Sequence, residues 1–140
     1  ITGGKVIDGI GFYYTPTLLS DVKQDNSIIQ TEVFGPVITI TSVKDDEEAI
    51  KLANDSKYGL ASSIWTKDVG KALEISKKIQ AGVTWINDHL PIISEGPHGG
   101  VKGSGFGKDM SQESVLEYTT THHIMIKHGQ HEVKEGFRPV

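Results

Sequence analysis

The sequence predicts an α/β fold built on a parallel sheet. Three observations carry that expectation. Residues 37–43, Val-Ile-Thr-Ile-Thr-Ser-Val, are β-branched almost throughout, as suits a buried strand. Two later segments have apolar residues at helical spacing, each preceded by an aspartate able to cap it. Finally, strand and helix patterns alternate with short connections, and a strand–helix–strand crossover joins parallel neighbours.

Residues 1–36 mix glycine with short extended runs. After the first clear strand, Asp45 and Glu48 have capping-box spacing. The helix they open carries Ala49, Ile50, Leu52 and Ala53 at helical spacing to about Ser56, and Gly59 is expected to end it. Residues 60–65 read as a second strand. Asp68 caps a second helix with Val69, Ala72, Leu73, Ser76 and Ile79 along one face, and Gly82 is expected as its left-handed stop. Val83-Thr84-Trp85-Ile86 reads as a third strand, so residues 37–87 are expected to form strand–helix–strand–helix–strand. A short helix over residues 111–118, capped by Ser111, and an alternating β-branched strand over 119–127 follow. In the tail only Val133 and Phe137 look able to pack.

Composition narrows the function classes. There are 14 Lys+Arg against 18 Asp+Glu, a net charge of −4, which disfavours sequence-independent nucleic-acid binding. Hydrophobic residues make up 36%, leaving little margin for an independent core. No apolar run approaches the ~20 residues that span a bilayer. With no targeting pattern at the start, the expected compartment is the cytoplasm. The chain has no cysteine, which excludes disulfides, thiolate zinc sites and a cysteine nucleophile within it. The Asn54-Asp55-Ser56 triplet is read as chance.

Ligands of parallel sheets sit beyond the carboxyl ends of the strands, which directs attention to the segment after Asn87. The glycine cluster over 99–107 fails as a phosphate loop: Gly107-Lys108 is followed by Asp109, and Lys102 stands where the first loop glycine belongs. It is read as a loop that needs glycine for backbone reasons. His122, His123, His128 and His131 lack metal-ligand spacing, and adjacent strand residues face opposite ways; no metal is expected. Glu32-Val33-Phe34-Gly35-Pro36-Val37 sets a carboxylate and a ring two residues apart before a turn. In extended backbone these share a face, where a carboxylate accepts from both hydroxyls of a ribose and a ring packs a flat heterocycle; an ordinary strand entry with an exposed glutamate is the plainer alternative.

Five segments in order resemble the carboxyl-terminal portion of the aldehyde dehydrogenase superfamily. They are Gly11-Phe12 through Pro16-Thr17-Leu18, Glu32 through Val37, Asn54 through Leu60, Ala81 through Asn87, and Pro97 through Gly105. The resemblance implies NAD(P)-dependent oxidation of an aldehyde to an acid, with a cysteine thiolate as nucleophile and a glutamate activating water. It places Glu32 on the nicotinamide ribose and Phe34 near the nicotinamide. Asn87 is implied as a structural residue, His89, Leu90, Ile92 and His98 as the substrate tunnel, and residues 119–128 as an oligomerisation strand. Residues 1–118 then correspond to the end of the catalytic domain and 129–140 to a polar tail. In the family the nucleophile, the oxyanion-hole asparagine, the water-activating glutamate and the dinucleotide domain all precede this region. The isolated chain is therefore expected to be an inactive fragment that binds NAD or NADP stably only in a complete enzyme, as a homo-oligomer or with its missing amino-terminal portion. The loop 97–111 looks most like the aminoaldehyde branch, with γ-aminobutyraldehyde and betaine-aldehyde enzymes as neighbours. Glu95 is a candidate partner for a cationic tail, set against its reading as a loop charge. A non-catalytic assembly module and a small independent α/β binding domain are the alternative readings.

Overall fold

A computed structural model describes residues 2–129. Two parallel strand pairs organise it. β1 (Thr17–Ser20) pairs with β2 (Val37–Ile40), Thr17 opposite Val37 and Ser20 opposite Ile40. The connection between them contains the one-turn helix α1 (Ser27–Gln30), capped by Asn26, whose side chain accepts from the Ile28 N–H at 3.0 Å. The helix α2 (Asp46–Asn54) leads to a two-residue strand β3 (Tyr58–Gly59) and then β4 (Ala61–Ile64). β4 runs parallel to β5 (Val83–Ile86), and the crossover between them is α3 (Val69–Ser76). β3 is completed by an antiparallel partner, β6 (Val101–Lys102), and α4 (Ser111–Glu117) follows the glycine loop.

Both long helices start where their caps require. Asp45 accepts from the Glu48 N–H at 2.8 Å while the Glu48 carboxylate accepts from the Lys44 N–H at 2.8 Å, a reciprocal box displaced by one residue from the ideal. Asp68 accepts from the Lys71 N–H at 2.9 Å. Asp46, in the first turn of α2, holds the Lys71 ammonium of α3 at 2.6 Å, so the two helix starts are joined. Ser111 acts as a cap as well: its hydroxyl accepts from the Glu113 N–H at 3.2 Å, although it also counts as the first helical residue.

Four expectations need correction. β2 pairs with β1 upstream and is not hydrogen-bonded to β4, so residues 37–87 do not make one three-stranded sheet. Alternation alone cannot assign neighbours, since pairing is non-local. Gly59 lies in β3 and does not end α2, which stops at Asn54. Gly82 is not a left-handed stop; α3 ends at Ser76, and Gly82 is needed because a Cβ there would overlap the Gly99 carbonyl. Residues 119–127 form no strand, because no described segment lies alongside to complete a ladder. The tail assignments at His131, Val133 and Phe137 fall outside the described residues.

Burial is thin. The buried residues among those described are Thr17, Ala72 and two glycines, Gly59 and Gly100, while Ile38, Ile40, Trp65, Val69 and Leu73 are about half exposed or more. The core-facing stripe of α3 is thus only partly covered by β5.

Candidate active site

The segments that resemble family motifs hold one another in place. Asn54, at the end of α2, donates to the Lys78 carbonyl at 2.8 Å and accepts from the Gln80 N–H at 2.8 Å, tying α2 to the chain leaving α3. Lys102 reaches the same turn from β6: its Nζ donates to the Asn54 carbonyl at 2.7 Å and the Ser56 carbonyl at 3.1 Å. A lysine suits that place, since the last carbonyls of a helix carry partial negative charge. Ser104 accepts from the Gly59 N–H at 3.0 Å. Asn87, with φ 55°, accepts from the Thr66 N–H and donates to the Thr66 carbonyl, both at 2.8 Å, fixing the loop beyond β5 against the end of β4. That is the structural role the resemblance implies for it.

These ties frame an open cavity of about 510 Å³ between the end of α1, the α2–β4 connection and the glycine loop. Glu32 lines it, with Thr31, Ser56, Tyr58 and Ser104. The Glu32 carboxylate is exposed and has no hydrogen-bond or ion-pair partner among the described residues. Two successive tight turns follow it: the Gly35 N–H donates to the Val33 carbonyl at 2.9 Å, and the Val37 N–H to the Gly35 carbonyl at 2.8 Å. Phe34 stands on this turn, 94% exposed, and does not line the cavity. The turn is the reason carboxylate and ring do not share the wall that an extended chain would give them. The two oxygens of an unbonded carboxylate match the two donors of a vicinal diol, so Glu32 fits a ribose.

A second cavity, about 350 Å³ and nearly all apolar, lies between β5 and the segment that follows it. Ile92 and His98 line it together, beside Val83, Trp85, Pro91 and Ile93. His89 sits behind Trp85, ring centroids 5.4 Å apart and edge-on, and its Nδ1 lies 2.7 Å from the Ser63 hydroxyl. Leu90, with φ 76°, is 65% exposed and does not line the cavity. Glu95 is exposed and also outside the lining. His98 additionally lines a cavity of about 590 Å³ with Phe106, Asp109 and Met110, so it is the wall between the two. The sequence singled out His89, Leu90, Ile92 and His98 but neither Trp85, in this cavity, nor Asp109, in the neighbouring one. Trp85 was legible as a large ring at the end of a strand, whereas Asp109 is positioned by an antiparallel bridge that no local pattern announces.

Among the described residues no group of three or more His, Asp or Glu side chains is clustered to hold a metal ion, and no helix is long and apolar enough to cross a membrane.

Residues 1–124 match the model of the aldehyde dehydrogenase family. The chain is 43% identical over 114 residues to betaine aldehyde dehydrogenase of Bacillus subtilis, covering 81% of this chain and 23% of that protein. It is 40% identical over 126 residues to succinate-semialdehyde dehydrogenase of Paenarthrobacter nicotinovorans, covering 90% and 28%. The structure of betaine aldehyde dehydrogenase from Staphylococcus aureus in complex with NAD+ superposes with a TM-score of 0.86 at 38% identity, over 99% of this chain and 28% of that one. The chain therefore spans about a quarter of the length of these relatives. The match over residues 1–124, together with a shared α/β fold, means that this chain belongs to the aldehyde dehydrogenase family.

Proposed function

We propose that this chain supplies the ribose clamp and part of the substrate tunnel of an enzyme that oxidises an aldehyde to the carboxylic acid with NAD or NADP. The observation that carries the reading is Glu32: an acceptor-only group on a cleft, left unbonded while the neighbouring motif residues are engaged in holding the loops. When bound, the nicotinamide supplies the hydride acceptor. Glu32 binds and orients the ribose, and Phe34 shields the nicotinamide end from water. His89 acts behind the tunnel, bracing Trp85 and reaching Ser63. Ile92 and His98 form its wall, and Leu90 its outer rim. The nucleophile comes from polypeptide beyond these 140 residues, because the family chemistry needs a thiolate and none is present. The uncovered apolar faces of β2 and α3 dock against that same polypeptide. Residues 119–128 complete a ladder with a second subunit, as an unpaired extended segment does on meeting a sheet edge.

The relatives do not choose a substrate class, since one is named for a cationic aldehyde and another, at similar identity, for an anionic one. The test has two arms. The purified chain, given NAD and propanal, is expected to form no NADH. A hybrid in which residues 2–127 replace the matching quarter of the Staphylococcus aureus enzyme is expected to form it. Turnover by the chain alone, or a folded hybrid that reduces no NAD with any aldehyde, overturns the reading.

A further inference from the structure

We infer that Gln30, seated with Gln24 on the carbonyl of Asp55, is a positioning residue that holds Glu32 on the cofactor cleft. The inference rests on the ribose reading of Glu32 above and adds the device that keeps the carboxylate in place.

Among the described residues Glu32 makes no hydrogen bond or ion pair that would orient it. It follows α1, and a single helical turn is far too short to be stable alone. The chain leaves that turn extended, Thr31 having φ −121° and ψ 133°. Downstream, the chain is fixed from Pro36, whose carbonyl accepts from the Thr17 N–H at 2.8 Å, and from Val37, which enters the ladder opposite Thr17. Upstream, it is fixed by two glutamine side chains. Gln30, the last residue of α1, donates from Nε2 to the Asp55 carbonyl at 2.9 Å and to the Gln24 carbonyl at 3.0 Å. Gln24 donates from its own Nε2 to the same Asp55 carbonyl at 2.8 Å and to the Leu52 carbonyl at 3.2 Å. A side-chain amide has two hydrogens to give and a carbonyl oxygen two lone pairs. Both glutamines and the Asp55 carbonyl are therefore fully used in this one knot.

The acceptor itself is anchored. Asp55 closes α2, its N–H donating back to the Lys51 carbonyl at 3.0 Å and the Leu52 carbonyl at 3.2 Å. The carbonyls on either side of it, of Asn54 and Ser56, are held by Lys102. Carbonyls at a helix end carry partial negative charge, which suits them to receive these donors. Ser56, the next residue, lines the cavity together with Glu32. The glutamine pair thus sets the separation of two walls of the cleft, one bearing Glu32 and the other bearing Ser56 and Tyr58. A clamp placed in advance binds better than one that must be ordered by its ligand, because the ordering subtracts from affinity.

The experiment reads the Michaelis constant for NAD in the hybrid enzyme with propanal saturating. Gln30→Met keeps the length of the side chain and loses both donors. It is expected to raise the constant about fivefold, the effect of losing one or two exposed hydrogen bonds, with kcat and the constant for propanal within about twofold. Gln30→Lys still donates to these carbonyls and should stay within about twofold of the unsubstituted hybrid. In a Glu32→Gln background Gln30→Met should add about twofold or less, because the group it positions is already weakened. A general loosening of the fold would add the same factor in both backgrounds. Should the methionine variant fail to fold, Gln30→Asn, too short to reach the Asp55 carbonyl, is expected to give the same rise with the same dependence on Glu32. Equal rises in both backgrounds, no rise in a folded variant, or a lysine as poor as the methionine overturns the inference. Where Glu32→Gln alone raises the constant and Gln30→Met does not, the ribose reading stands and only the inference fails. Where Glu32→Gln changes nothing, the ribose reading fails and the inference falls with it.

Discussion

At the scale of single residues, two glycines show how close approach of distant segments dictates identity. A Cβ on Gly82 would overlap the Gly99 carbonyl, and one on Gly59 would meet the Gln80 carbonyl and the Val101 side chain. The obstructing atoms on the Gly82 side are backbone, which cannot swing away. Gly82→Ala is expected to destabilise the loop contact by about 3 kcal/mol, the upper range for overpacking. Loss of amide protection at residues 83–86 checks it. Lys102→Met, by contrast, removes two bonds to the end of α2 without a clash. It should cost about 1–2 kcal/mol, seen as faster amide exchange at the end of α2. Neither role was legible in the sequence. A glycine after a helix pattern reads as a stop, and only the fold reveals that the partner is seventeen residues on in one case and a strand edge in the other. Glu32 was legible as an acceptor, but its separation from Phe34 depends on a turn hidden within Val33-Phe34-Gly35.

At the scale of elements, local patterns were read well because their physics is local. The Asp45 and Asp68 caps and the strands at β2 and β5 follow from spacing and β-branching alone. Asp45→Ala should weaken α2 by about 1 kcal/mol, measured as lost amide protection at residues 49–52. Strand pairing was not readable, since β1 with β2 and β3 with β6 join segments that carry no mark of each other. The start of α4 has a pH dependence of defined sign. The Ser111 hydroxyl and then a backbone N–H hold the Glu113 carboxyl below its ordinary value of 4.5. Its contribution is complete above that value and disappears as pH falls through the lowered one. The protection factor of the Glu113 amide, its exchange rate relative to that of an unstructured peptide at the same pH, should therefore fall only in acid below about pH 4.5 and hold steady between pH 6 and 8. Lys71, raised above 10.5 by its bond to Asp46, behaves in the opposite sense: the link between α2 and α3 is complete at neutral pH and is lost only as pH climbs beyond its raised value.

At the scale of the whole molecule, the accessible surface is 11883 Å² for 15.2 kDa. A compact monomer of that mass exposes about 7,100 Å². Apolar side chains stand exposed along the described residues, among them Ile38 and Ile40 of β2, Val69 and Leu73 of α3, and Val115 and Leu116 of α4. The chain spans about a quarter of the length of these relatives, and under the proposed function these faces meet the polypeptide that supplies the remainder. The chain alone is expected to bind an apolar-surface dye and to unfold in urea with a shallow slope, because little surface changes state. A steep transition without dye binding would show that it closes on itself.

The central claim is that Glu32 holds the cofactor's ribose. Its most direct test is the Michaelis constant for NAD in the hybrid enzyme carrying Glu32→Gln, an amide that keeps size and loses the charge. The account predicts a rise of about tenfold, the effect of weakening charge-assisted bonds, with the constant for propanal within about twofold. An unchanged constant for NAD, in an enzyme that still oxidises propanal, would contradict it.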